Sequence, residues 1–309
     1  MEYRVLGKTG LRVSKLGLGG SSLGGVFRKI DEPEAIRAVH VAIDLGINFI
    51  DVAPYYGLTK AEALLGKALR GIPRDRYYLA TKVGRYGDTE FDFSAQRIRT
   101  SVEESLGRLA LDYVDVVQCH DIEYGSLDQI VEETLPTLRK IQKEGKARFI
   151  GITGFPLKIF RRVLNRAEVD TVLSYCHYTL ANTSFESLLS FLQKQNVGII
   201  NAAALGMGLF TKQGTPVWHP APKEVKAACA RASAYCRSRG VDIEQLALRF
   251  ALANPNIHIT LVGTADPEET KANVRAAESP IDVTLLNQVQ AVLQPIRNKS
   301  WLVGRPENN

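Results

Sequence analysis

A chain of 309 residues, 45% hydrophobic and 23% charged, has the make-up of an ordinary globular protein. Its formal charge of +6 is dispersed, densest at Arg161-Arg162 and Arg74/Arg76, with no Lys/Arg run of the kind that contacts nucleic acid or an anionic membrane. No apolar run approaches the roughly 20 residues of a membrane span, and the N-terminus shows no basic start followed by an apolar stretch.

The four cysteines, Cys119, Cys176, Cys229 and Cys236, have no C-x-x-C spacing. Free thiols in a reducing, cytoplasmic setting are therefore expected.

The opening 1-MEYRVLGKTGLRVSKL-16 alternates on either side of a Gly-Lys-Thr-Gly turn, which predicts a β-hairpin. One rhythm then repeats: a short apolar run, a polar or Gly-rich loop, a helical pattern. The runs are Leu16–Gly20, Ile47–Val52, Tyr78–Val83, Val114–His120, Phe149–Thr153, Thr171–Tyr175, Gly198–Ala202 and Ile259–Gly263. Between them Ile36, Val39 and Ile43 recur at helical spacing, as do Ile98, Val102, Leu106 and Leu109, then Val131, Leu135, Leu138 and Ile141. Gly46 and Gly145 stand where a helix should stop, and Asp242 with Gln245 resembles a capping box opening a helix at 243.

Strands apolar throughout are buried on both faces. Eight of them alternating with helices predict a (β/α)₈ TIM barrel rather than an open doubly wound sheet, since none reads as a polar edge. The segment 210–240 and the tail from Ile281 should add helices around the rim, and a single domain spanning 1–309 is expected.

In such a barrel the chemistry sits at the C-terminal strand ends. Strand two ends at Asp51, followed by Tyr55-Tyr56; strand three ends at Lys82; strand four ends at His120-Asp121. Each alone has a bland explanation: a loop cap, a packing aromatic, a solvated lysine, a structural histidine. Together they form an acid–base set suited to hydride transfer. A free tyrosine titrates near about 10, and an adjacent ammonium favours the tyrosinate. The run 17-GLGGSSLGG-25 is not a dinucleotide fingerprint, because Ser22 stands where a third glycine is needed and no acid follows at the right distance. Cys119-His120-Asp121 is not read as a metal site, since consecutive strand residues point to different sides.

The spacing Asp51-x-x-x-x-Tyr56-Gly57, Thr81-Lys82 and His120, with the opening LGKTGLRVSKLGLG, resembles the aldo-keto reductases over nearly the whole chain. The segments GRYGDTEFDFSAQRI, CHDIEYGSLDQIV, FIGITGFPL and LSYCHY resemble the sugar 1-dehydrogenases of that family. The resemblance implies NAD-dependent oxidation of an aldose at C1, L-galactose to L-galactono-1,4-lactone first, within ascorbate synthesis, with L-fucose and D-arabinose as alternative sugars. It assigns Tyr56 as base, Lys82 and Asp51 as its tuners and His120 as the group orienting the sugar oxygen. A non-catalytic barrel sensing nicotinamide is the rival, disfavoured by the complete tetrad. It implies a sugar as the only partner, no nucleic acid or membrane, and a monomer or weak homodimer.

The resemblance also implies a nicotinamide cofactor held along the ends of strands five to eight. Thr153, Ser174 and Tyr175 are the candidates for its nicotinamide end, and Ala204, Leu205, Gly206 and Gly208 for its pyrophosphate. Gly263 and Thr264 replace the Lys-Ser of many NADP-preferring members, Glu269 replaces their arginine, and Asn273 matches the asparagine at the adenine. A carboxylate near the ribose favours NAD. Asp121, Tyr124, Trp218 and Trp301 are the candidate sugar contacts, with no metal expected.

Overall fold

In a computed structural model describing residues 1–309, the first strands β1 (Tyr3–Val5) and β2 (Arg12–Ser14) form the antiparallel hairpin, Tyr3 opposite Ser14. Eight parallel strands follow and close into a barrel: β3 (Leu16–Gly19), β4 (Phe49–Asp51), β5 (Tyr78–Val83), β6 (Val114–Cys119), β7 (Ala147–Gly154), β8 (Thr171–Tyr175), β9 (Gly198–Ala202) and β10 (Ile259–Gly263), with β10 pairing to β3. The fold is the TIM barrel that eight apolar runs predict. No helix is long and apolar enough to cross a membrane.

The last two runs and those over Tyr78–Val83 and Thr171–Tyr175 coincide with strands residue for residue. β4 is shorter than its run because Asn48 turns its side chain to the hairpin, accepting from Ser14 N at 2.7 Å and donating to Arg12 O at 2.9 Å. Gly46 and Gly145 both take the left-handed conformation expected of helix stops. Asp242 caps the helix Ile243–Leu252 by accepting from Glu244 N.

Side-chain alternation along the strands divides the core. Phe49, Ala80, Val116, Leu173, Ile200 and Leu261 point inward and pack together with Leu6, Leu11 and Val13, so the hairpin plugs the bottom of the barrel. Their neighbours Ile50, Leu79, Val117, Val172 and Ile199 point outward into the layer beneath the helices. The added helices Lys223–Arg237 and Val283–Leu293 pack on each other and on Ile243–Leu252 in a separate apolar cluster, which also takes in Leu180, Leu209 and Phe210 from the loops after β8 and β9.

Candidate active site

Two residues on from the inward apolar layer, the same alternation brings polar groups to the mouth. Phe49 is followed by Asp51, Ala80 by Lys82, Val116 by Gln118 and then His120, Leu173 by Tyr175, and Leu261 by Gly263. Asp51, Lys82, His120, Tyr175 and Gly263 all line one cavity of about 760 Å³, within the range of about 300–1,000 Å³ usual for small-molecule and cofactor sites.

Lys82 is fully buried and its ammonium has three acceptors: a short ion pair to Asp51, Val52 O at 3.0 Å and Tyr56 Oη at 3.1 Å. An ammonium has three N–H donors, so its direction is fixed. Asp51 is held in turn by Gln118 Nε2 at 2.7 Å, a partner sequence reasoning missed although it shares the inward alternation of His120. The Lys82 pKa is pushed up: burial opposes the charge, and Asp51 and Tyr56 outweigh it. Tyr56 is raised, because burial exceeds the opposing pull of Lys82. The expected lowering by the ammonium is thus present and outweighed by desolvation.

Tyr55 and Tyr56 differ sharply. The Tyr55 hydroxyl donates to Asp88 Oδ1 at 2.8 Å, its ring lies 3.8 Å from the Arg85 guanidinium carbon, and burial pushes its pKa to about 12. Only Tyr56 carries the lysine at its hydroxyl. Gly57, with φ of +63°, fixes this turn, since a Cβ there would stand 2.1 Å from Gly24 O.

His120 is buried and stands edge-on to the Tyr56 ring, with centroids 5.7 Å apart. Burial drives its pKa down to about 3, so the imidazole is neutral. Its Nδ1 has no partner, and its Nε2 is 3.7 Å from Asp121 Oδ2. Simple alternation would turn Asp121 away from His120. Its φ of 50° breaks the strand and brings both residues to the cavity. Arg85, which no sequence signal marked, pairs with Asp121 Oδ2 at 2.5 Å, and Thr153 Oγ1 donates to Oδ1 at 3.1 Å. Burial resists ionisation of Asp121, and the charge and hydrogen bonds around it keep its pKa below the ordinary value.

Of the residues expected to hold a cofactor, Thr153, Tyr175, Ala204, Leu205, Gly208, Gly263, Glu269 and Asn273 line the cavity. Three do not. Ser174 lies between inward-facing Leu173 and Tyr175, so it points to the other side, its Oγ 3.4 Å from His177 Nδ1. Gly206 is buried in a turn and its carbonyl meets His219 Nε2 at 2.9 Å. Thr264 is buried and donates to Glu269 Oε2 at 2.7 Å. Tyr175 lines the wall, but its hydroxyl is committed to Glu123 Oε1 at 3.0 Å. Glu269 also accepts from Arg28 Nη2 at 2.8 Å on the same oxygen, so a cation that sequence reasoning missed compensates its charge.

Asp121, Tyr124, Trp218 and Trp301 all line the cavity. Tyr124 stacks on Phe91 at 4.3 Å, Trp218 is 53% exposed at the lip against Phe27, and Trp301 keeps a buried indole N–H without a protein partner.

The model of the Aldo/keto reductase family matches residues 15–294. Among characterised relatives, the L-galactose dehydrogenase of Arabidopsis thaliana is 49% identical, covering 100% of this chain and 99% of its own. The D-arabinose 1-dehydrogenase of Saccharomyces cerevisiae is 36% identical over 78% of this chain and 76% of its own. Among solved structures, the aldo-keto reductase AKR11C1 from Bacillus halodurans, in its holo form, superposes with a TM-score of 0.80 at 26% identity, covering 98% of each chain. An ammonium, a half-buried tyrosine and a neutral histidine meeting in one barrel mouth, on a chain matched over nearly its full length, make this protein an oxidoreductase that belongs to the aldo/keto reductase family.

Proposed function

We propose that the protein oxidises an aldose at C1 with NAD, releasing the lactone, and that L-galactose is its sugar. The observation that carries the reading is the Lys82–Tyr56 contact of 3.1 Å, at one end of a cavity that continues to Glu269 and Asn273. The 49% identity to an L-galactose dehydrogenase supports the choice of sugar, and ascorbate synthesis is the pathway that we infer from that sugar.

The residues fit a nicotinamide dinucleotide. The cavity runs from the tetrad past the small residues Ala202–Ala204 to Gly263, where a side chain would close on Ser22 Oγ at 2.9 Å and Gly19 O at 3.2 Å. A bound nicotinamide would supply the acceptor for the hydride of C1. Thr153 and Tyr175 would flank its ring, Ala204, Leu205 and Gly208 its phosphates, and Glu269 and Asn273 its adenosine. Glu269 uses Oε2 for both Arg28 and Thr264, which leaves Oε1 to accept from a ribose 2′-hydroxyl and favours NAD.

Tyr56, as tyrosinate, removes the proton of the anomeric hydroxyl. Lys82 stabilises that anion from 3.1 Å, and Asp51, held by Gln118, keeps the lysine charged and aimed. Neutral His120 has one N–H and one lone pair free of protein hydrogen bonds, and it holds the same sugar oxygen. General-base assistance of this kind contributes about 10²–10⁴ in rate.

The test is the initial rate of reduced nicotinamide formation with L-galactose, L-fucose, D-arabinose and L-gulose, each with NAD and NADP. L-Galactose with NAD should give the highest kcat/KM. No turnover of any aldose would refute the reading.

A further inference from the structure

Arg85, in the loop after β5, lines the same cavity as Glu269, which follows β10 three strands round the barrel. The loop after β5 folds back on itself, with Arg85 bridged to Phe91 and Tyr86 N donating to Glu90 O at 2.9 Å. This carries the guanidinium into a cage of aromatic rings: Tyr55 at 3.8 Å, Phe91 at 5.3 Å and Tyr124 at 5.3 Å. Its side chain is only 14% exposed. Nη1 binds Asp121 at 2.5 Å, and Nε reaches Gly87 O only at 3.5 Å. A guanidinium has five N–H donors, so Arg85 keeps donors that no protein acceptor takes, on the wall of the cavity. Asp121 supplies acceptor lone pairs beside them.

We propose that Arg85 and Asp121 form the subsite that recognises a pair of neighbouring sugar hydroxyls other than the one at C1, next to the oxygen held by His120, with Arg85 the specificity-determining member. The inference rests on the aldose reading above. Each hydroxyl of a vicinal pair can donate and accept. A guanidinium and a carboxylate locked side by side offer one donor set and one acceptor set at a matching spacing. The stacked Tyr124 and Phe91 rings offer an apolar wall next to the pair, suited to the C–H face of a sugar ring. The cage holds the fork still, which an ammonium on a flexible stem cannot reproduce. Arg85 lies away from Gly263, Glu269 and Asn273, so its removal should act on the sugar and not on the nucleotide.

The experiment uses Arg85→Lys and Arg85→Met with L-galactose and its monodeoxy analogues, alongside NADH binding by fluorescence. In the wild type, one deoxy position should lose about tenfold or more in kcat/KM, the value of a hydrogen bond to a charged group. Both variants should raise KM for L-galactose by about tenfold or more, leave kcat within about threefold and keep NADH affinity within about twofold. The penalty for that deoxy position should shrink to about threefold or less in Arg85→Lys, a coupling that a merely structural arginine would not produce. Should Arg85→Met fail to fold, the Arg85→Lys coupling decides alone. Unchanged sugar KM, or a deoxy penalty that persists in the variant, overturns the subsite while leaving the aldose activity standing. Absence of aldose turnover in the wild type overturns both.

Discussion

Lys82 Nζ donates to Tyr56 Oη across 3.1 Å, while the hydroxyl of adjacent Tyr55 donates to Asp88. One backbone step separates a tyrosine with a cation at its oxygen from one without. The assignment of chemistry to Tyr56 follows from that contact.

Lys82 serves both fold and reaction, and the two can be separated. Lys82→Met leaves Asp51 buried with Gln118 as its remaining side-chain partner. Removing one member of a buried pair costs about 3–5 kcal/mol. The double variant Asp51→Asn/Lys82→Met should regain much of that in denaturant unfolding while kcat stays about 10³-fold down. Recovery of turnover along with stability would show that the lysine is only structural.

The direction of the Tyr56 shift sets the pH dependence. Oxidation needs the tyrosinate, and burial raises the tyrosine pKa. The active fraction therefore grows as pH rises, and kcat/KM for sugar oxidation should increase from about pH 6 to about pH 9 without levelling off. His120, held near 3, adds no titration in that window. The reverse reaction uses the protonated hydroxyl, so its rate should be flat over the same range. A plateau in oxidation beginning near pH 7 would contradict this.

Gly57 should resist substitution. A methyl group there would meet Gly24 O at 2.1 Å and Gly24 Cα at 2.7 Å, and φ of +63° adds its own cost. Gly57→Ala should lose about 2–4 kcal/mol in unfolding free energy. By displacing Tyr56 it should also lower kcat by about 10–100-fold. Wild-type stability and rate in the variant would show that the turn is not fixed by Gly24.

Cofactor choice should move with Glu269. Glu269→Arg releases Arg28 and Thr264 and places two guanidiniums near the ribose end. NADP affinity, followed by fluorescence titration, should rise about tenfold or more while NAD affinity falls. Unchanged NADP affinity would remove Glu269 from the discrimination.

The barrel was legible because its strands are apolar throughout and its helices hold their period from Ile36 to Ile43 and from Ile98 to Leu109. Asp51, Lys82 and His120 were legible because strand ends are readable and their spacing resembles a known family. What stayed hidden depends on which way a side chain turns. Ser174 stands near a strand end, yet alternation sends it to the far side from Tyr175. Asp121 escapes the same rule only through a left-handed backbone that nothing in Cys-His-Asp announces. Arg85 and Arg28 come from loops, where no periodicity fixes direction. Their partners, Asp121 and Glu269, lie 36 and 241 residues away.

The most direct measurement compares the wild type and Tyr56→Phe side by side: the rate of NADH formation from L-galactose, with NADH affinity measured on the same samples. The account predicts rapid oxidation by the wild type, a loss of about 10³-fold or more in kcat for Tyr56→Phe, and equal NADH binding by both. Equal oxidation rates in the two proteins, or no NADH from the wild type, would contradict it.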